Sequence, residues 1–221
     1  GRYALIIGDG RGLIGLPGES SFLRDTVTGR TEAVAFDRSG HIVAATAYNM
    51  SDDARYIFYS STSTNIVAND TNGGWDLFRY DRTTRQTVAI TLTADGRSTS
   101  NGTDMRIWDV SGDGRYTLFH SNATNLVALG RFDAANVNGN RLYRYDAESK
   151  TVSLVLKGGE RLWDDESYNH GTIANDGSVA LRYIFNGEAY GVHRAVNGVD
   201  ILERADETPI VSNNAREIFG T

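Results

Sequence analysis

The sequence contains no cysteine, so it can build no disulfide framework, no thiolate nucleophile and no Cys-ligated zinc site. That absence leaves the redox compartment open and is compatible with export. Lysine is nearly missing as well: Lys150 and Lys157 are the only two, and the remaining cations are arginines. With a formal net charge of −6 and a pI near 5.2, and no Lys/Arg cluster, the chain lacks the basic face a nucleic-acid binder needs to neutralise phosphates. No apolar run approaches the roughly 18 residues of a membrane-spanning helix. No window of about a dozen residues sustains an i, i+3, i+4 apolar pattern, so few helices are expected. The chain opens on Gly1 rather than Met, as a processed or excised piece would.

What is present is turn chemistry and aromatic strands. The 221 residues include 24 Gly and 11 Tyr, at 40% hydrophobic and 23% charged, a globular and turn-rich composition. Three lines superimpose: Gly1-Arg2-Tyr3-Ala4-Leu5-Ile6, Ala54-Arg55-Tyr56-Ile57-Phe58-Tyr59 and Gly114-Arg115-Tyr116-Thr117-Leu118-Phe119. Ser51-Asp52-Asp53 precedes the second and Ser111-Gly112-Asp113 the third, while Ala174-Asn175-Asp176-Gly177 and Val211-Ser212-Asn213-Asn214 repeat the theme more weakly. Thr64-Asn65-Ile66-Val67-Ala68 recurs as Thr124-Asn125-Leu126-Val127-Ala128, and Leu77-Phe78-Arg79-Tyr80-Asp81 as Leu142-Tyr143-Arg144-Tyr145-Asp146. The first pair is offset by 60 residues and the second by 65, so five residues are inserted between them.

One period reads as a strand before the Ser-Asp turn (Met105 to Val110), a second after it (Arg115 to Ser121), a third over Arg141 to Tyr145 and a fourth over Thr151 to Lys157. The last two are joined by a tight Asp-initiated turn, a hairpin signature. Four antiparallel strands per repeat of this length make an all-β β-propeller the expected fold, with about four blades visible. A β-sandwich also offers short, regularly spaced strands but requires no sequence repeat. The chain is taken as a single propeller region, residues 1–221, with repeats at about 1–50, 51–110, 111–173 and 174–211, and with 212–221 starting or closing a further blade.

The run Ser51-Asp52-Asp53-Ala54-Arg55-Tyr56-Ile57-Phe58, with its cleaner copy Ser111-Gly112-Asp113-Gly114-Arg115-Tyr116, resembles the repeat of TolB-type, WD-like β-propellers. The extension from Thr64 through Asp70-Thr71-Asn72-Gly73 to Asp76-Leu77-Phe78 is similar to a long-repeat variety found in exported bacterial proteins. The resemblance implies a periplasmic or extracellular scaffold that binds a protein or carbohydrate ligand. It implies no single activity. It also implies further blades or domains in a longer chain, because a six- or seven-bladed ring needs more residues than these. A four-bladed closure is the alternative. Ala54, Ser178 and Ala215 depart from the repeat pattern.

Candidate sites fall in the variable loops. Asp70, Asn72 and Asp76 place oxygen side chains around a Gly turn, a pattern able to wrap calcium, though the same residues can instead bond their own backbone. The other copy carries Arg141 where Asp76 stands. Trp75 and Trp163 are read as loop residues suited to ligand contact, and Trp108 as a strand residue packed between blades. Asp164, Asp165 and Glu166 follow Trp163, and paired acids beside an aromatic ring could serve glycoside hydrolysis. The simpler reading of these acids is a solvated turn. No Gly-x-Ser-x-Gly elbow occurs, and His41, His120, His170 and His193 are dispersed, so no catalytic residue is assigned. The Ser-x-Asp turns differ from sialidase Asp-boxes because Gly follows Asp directly at Asp113-Gly114. Their aspartates are expected to bond backbone amides between two strands.

Overall fold

Alternating aromatic and β-branched residues bounded by Asp, Ser and Gly turns make this an all-strand chain. The computed structural model describes residues 1–9, 19–68, 70–93, 95, 100–128, 139–155, 167–185, 188–194 and 200–204. Strands β1 (Tyr3–Asp9), β2 (Glu19–Asp25) and β3 (Thr31–Ala33) form a first sheet in chain order. The second joins β4 (Thr46–Met50), β5 (Tyr56–Ser61), β6 (Asp76–Asp81) and β7 (Gln86–Ala89). The third joins β8 (Met105–Val110), β9 (Tyr116–Ser121), β10 (Arg141–Asp146) and β11 (Thr151–Leu154). The fourth joins β12 (Ser167–Ile173), β13 (Val179–Phe185), β14 (Glu188–Arg194) and β15 (Asp200–Arg204). Each sheet is an antiparallel meander. The hydrogen-bonded sheets begin one strand ahead of the Ser-Asp turns, and the first sheet lacks, among the described residues, a counterpart of β4, β8 and β12.

Both faces of the middle strands are buried, which explains why they are not simple alternations of apolar and polar residues. Along β5, Ile57 and Tyr59 pack into a cluster with Leu23, Val34 and Phe78, while Phe58 packs into the next with Ile107, Phe119 and Tyr143. A third cluster puts Tyr116 and Leu118 of β9 against Ile173, Val179 and Leu181 of the fourth sheet. Every sheet-to-sheet interface therefore has its own core, and each sheet is stabilised by its neighbours rather than by an interior of its own. Stacked rings recur at equivalent places: Tyr59 on Phe78 at 5.4 Å and Phe119 on Tyr143 at 5.5 Å between centroids.

The turn before each second strand is closed by its own side chains. Ser51 Oγ donates to Asp53 Oδ1 at 2.6 Å and accepts the Tyr56 amide at 3.0 Å, and the Arg55 amide donates to Asp53 Oδ1 at 2.9 Å. Ser111, Asp113, Arg115 and Tyr116 repeat the set at 2.6, 2.8 and 2.9 Å. At the fourth sheet, Asp176 Oδ1 takes the amide and hydroxyl of Ser178 at 2.8 and 2.6 Å. This is the amide-bonding role expected of these aspartates.

A second repeated clamp joins the start of each middle strand to the end of the next. Arg55 donates to both carboxylate oxygens of Asp81 at 3.1 and 2.8 Å, Arg115 to both of Asp146 at 2.9 Å, and Arg2 to Asp25 Oδ2 at 3.1 and 2.6 Å. Hydrogen bonding to these guanidinium groups holds the Asp81 and Asp146 carboxyls down at about 2 and lowers that of Asp25. The same aspartates cap the hairpin that follows, Asp81 Oδ1 accepting the Thr83 amide at 2.8 Å and Asp146 Oδ1 the Glu148 amide at 2.9 Å. Each hairpin then needs a left-handed residue, supplied by Gly29 but also by Arg85 and Lys150, with φ of 57° and 56°.

Consecutive sheets are tied by polar contacts at the turn end. Arg79 Nε donates to the Gly114 carbonyl at 2.9 Å and Arg144 to the Gly177 carbonyl at 2.6 Å. The Asp52 amide donates to the Gly112 carbonyl at 2.8 Å, and the Asp113 amide to Asn175 Oδ1 at 3.0 Å. Glycine is required at 114 and 177 because each turn sits on a tyrosine of the preceding sheet. A Cβ on Gly114 would lie 2.5 Å from the Tyr56 ring, and one on Gly177 2.9 Å from the Tyr116 ring.

Candidate functional site

Successive strands of a meander reverse direction, so the loops divide between two ends of the molecule. The Ser-Asp turns and the hairpins after Asp25, Asp81 and Asp146 share one end. The connections from β5 to β6 and from β9 to β10, which the sequence marks as variable, share the other with the segments that link one sheet to the next. Trp75, Asp70, Asn72 and Asp76 all belong to this second end.

The described part of that end is built on buried polar bonds. Asp76, fully buried, accepts the Thr91 hydroxyl at 2.7 Å, and the Thr91 oxygen accepts the Leu77 amide at 3.2 Å. Asp70 is also buried. Asn72 donates to the Ser100 carbonyl at 2.6 Å and accepts the Gly74 amide at 2.8 Å. The loop is thus pinned to β6, to the segment after β7 and to the approach to β8. Between Gly74 and Asp76 the Trp75 side chain is left 46% exposed. Among the described residues, no three or more His, Asp or Glu side chains gather as a metal centre. Trp163, Asp164, Asp165 and Glu166 lie outside the described residues.

The equivalent place in the third sheet holds a different arrangement. Asn140, fully buried, donates to Asp104 Oδ2 at 2.7 Å, and Asp104 Oδ1 lies 3.6 Å from His120 Nε2. Trp108 Nε1 donates to His120 Nδ1 at 2.9 Å, which makes Nδ1 an acceptor and assigns the imidazole proton to Nε2. Trp108 also packs with the cluster between the third and fourth sheets, where a Cβ on Gly171 would come within 3.1 Å of its ring. Trp108 is therefore the inter-sheet residue the sequence implies, with an indole N–H that carries an unforeseen bond.

Its position arises from a β-bulge. The pairing of the first strand with the second shifts register between Ala47 and Asn49, between Ile107 and Asp109, and between Tyr168 and His170. A bulge re-aims the extra side chain. Tyr48 and Trp108 use it identically, each reaching the penultimate residue of the neighbouring strand: Tyr48 Oη lies 3.2 Å from Ser60 Oγ, as Trp108 reaches His120.

Burial lowers the His120 pKa from its ordinary value near 6.5, against the opposing pull of Asp104. A depressed base stabilises the fold at pH values where its unfolded form is neutral. Stability is lost as pH falls below about 6.5, because the unfolded chain then binds a proton that the folded imidazole refuses. Urea melts at pH 7.5 and 5.5 should show a loss at the lower pH, which His120→Gln reduces. An unchanged pH dependence in that variant would assign the loss elsewhere.

No protein-family model matches the sequence, and no curated protein matches it. Among solved structures the chain is similar to a putative TolB from Agrobacterium tumefaciens, at 12% identity and a TM-score of 0.52, over 88% of this chain and 59% of that one. It is also similar to dipeptidyl peptidase 4 of Porphyromonas gingivalis, at 10% identity and a TM-score of 0.51, over 94% of this chain and 32% of that one. The fold is that of a β-propeller. The similarity reaches no further than the fold, and this propeller chain spans 59% of the length of the TolB structure.

Within the propeller, the sheets are blades and the strands β4, β8 and β12 form their inner edges, where neighbouring blades approach one another. Asp109, just past the bulge of β8, links three of them: it accepts the Ile173 amide of β12 at 2.9 Å and Asn49 Nδ2 of β4 at 3.4 Å. That junction carried no signal in the sequence beyond a polar residue in an apolar strand. The described residues include no helix long and apolar enough to cross a membrane.

Proposed function

We propose that this chain is a non-catalytic, extracytoplasmic binding propeller whose recognition surface is the end bearing the loops between second and third strands. The observation that carries the proposal is Trp75. A large ring 46% exposed is costly to leave in water, yet here its backbone is fixed on both sides by Asn72 and Asp76. A rigid, exposed aromatic loses little conformational entropy on contact and is a characteristic anchor of protein and carbohydrate ligands. The location outside the cytoplasm rests on the resemblance of the Ser-Asp repeats to TolB-type propellers.

The test is isothermal titration of the purified protein with neutral oligosaccharides and with aromatic-containing peptides, in wild type and Trp75→Ala. Binding of one class is expected, weakened about tenfold or more in Trp75→Ala with an unchanged melting temperature. Equal affinity in the variant, or turnover of the bound ligand, would overturn the proposal.

A further inference from the structure

Between the first two blades lies a groove of about 820 Å³ that Trp75 does not line. Its charge is opposite to that of the whole chain. Arg30, Arg38, Arg82 and Arg85 line it, against Glu32 and Asp37, in a protein of net charge −6. Both acids are already engaged. Glu32 accepts Arg82 Nε at 2.7 Å and lies 3.4 Å from Arg30. Asp37 accepts the amides of Ser39 and His41 at 2.8 and 2.9 Å, and Asn65 Nδ2 at 3.2 Å.

Two arginines keep their charge for an incoming group. Arg38 is exposed, and among the described residues its guanidinium bonds the neutral Asn65 side-chain oxygen alone, through Nε and Nη2 at 3.2 Å. Arg85 is exposed on the hairpin after β6, held in the left-handed conformation. Neither is in an ion pair among the described residues. A guanidinium fork matches a carboxylate in shape as well as in charge.

Between these charges the floor is apolar. Phe36 and Tyr80, with ring centroids 5.6 Å apart, line the groove together with Ile66. Gln86 and Thr87 of β7 both line it too. The groove therefore reaches the outer strand of the second blade. Among the described residues β7 pairs with β6 alone, which leaves that edge able to take a further strand.

We infer that the groove between the first two blades binds a short extended peptide segment of a partner protein, carrying carboxylates beside an apolar residue. The free edge of β7 supplies backbone bonds, Arg38 and Arg85 take the carboxylates, and the Phe36 and Tyr80 rings take the apolar side chain. An acidic sugar would satisfy the arginines but has no use for a strand edge. Trp75 does not line this site, which stands whether or not Trp75 binds a ligand.

The experiment is fluorescence anisotropy with a fluorescein-labelled octapeptide alternating Glu with Val, beside its Lys-for-Glu counterpart and tetragalacturonate as competitor. The acidic peptide is expected to bind saturably at low ionic strength and to weaken with added salt, while the Lys peptide does not bind. The double variant R38E/R85E should lower affinity about tenfold or more, Arg38→Gln should lower it less, and Trp75→Ala should leave it unchanged. Thermal melts establish that each variant is folded; if R38E/R85E is not, Arg38→Gln decides. Absence of saturable binding by the acidic peptide would overturn the inference, as would affinity indifferent to the arginine substitutions. Binding of tetragalacturonate without the peptide would overturn it in favour of an acidic-sugar site.

Discussion

Gly114→Ala is expected to destabilise the protein by about 3 kcal/mol, from two separate causes. Gly114 has φ of 70°, where a Cβ costs about 1–2 kcal/mol. The new methyl would also stand 2.5 Å from the Tyr56 ring and 3.1 Å from Ser51 Cβ, and overpacking of that kind costs about 1–3 kcal/mol. Tyr56 cannot retreat easily, since the Arg79 guanidinium covers its ring at 3.5 Å and Arg55 approaches it at 4.8 Å. The control is already present in the chain. Ala54 holds the corresponding turn position one blade earlier with φ of 55°, so the backbone term alone is tolerable. Ala54→Gly should therefore be nearly neutral, relief of φ strain offsetting a lost buried methyl of about 0.8 kcal/mol. In thermal melts Gly114→Ala should fall by roughly 6–12 °C; a fall of only a few degrees, the backbone cost by itself, would show that the tyrosine contact carries no energy.

The same comparison shows what could be read from the sequence and what could not. The Ser-Asp turns, the strand Met105–Val110 and the hairpins after Asp81 and Asp146 were legible because each is local: a few residues fix their own backbone through side-chain bonds. Insertion between second and third strands was legible too, as a change of offset between matching segments. The Arg-Asp clamps were not, although both partners stand in the repeated lines. Their separations are 23, 26 and 31 residues, since the clamp spans the variable loop and so has no fixed spacing. The bulge at Tyr48 and Trp108 leaves no trace in a pattern of apolar residues, because inserting one residue changes the register of the partner rather than the composition of the strand.

The site was legible only in part for a related reason. Asp76 reads in the sequence as a loop oxygen, one of a set suited to an ion. In the fold it is fully buried and bonded to Thr91, a residue of the segment that leaves the blade, and nothing near Asp76 in the chain signals that partner. Trp75 is the reverse case. Its loop position could be read from the Asn72-Gly73-Gly74 turn, but whether its ring faces water depended on how the loop is pinned at Ser100. The groove between the first two blades was not legible at all, as its arginines come from three separate segments.

Asp109→Ala should remove about 2–3 kcal/mol of stability, and the loss should concentrate at the boundary between the third and fourth blades. The carboxylate accepts the amide of Ile173, a buried residue, at 2.9 Å; a hydrogen bond to a charged group is worth about 1.5–3 kcal/mol, and an abandoned buried donor costs a comparable amount. The contact to Asn49 at 3.4 Å is long and contributes little, so Asn49→Ala should cost under about 1 kcal/mol. Asp109→Asn keeps an acceptor and should fall between the two. Because each interface between blades has its own hydrophobic cluster, the stability of the array is close to a sum of neighbour terms, and weakening one term lowers the free energy of local opening there before it lowers that of the whole. Native-state hydrogen exchange separates these cases. In Asp109→Ala the amides of β12 should exchange faster while those of β5 and β6 keep their protection. Uniform acceleration across all blades would instead mean that the blades open as one cooperative unit, and that Asp109 serves the whole array rather than a single boundary.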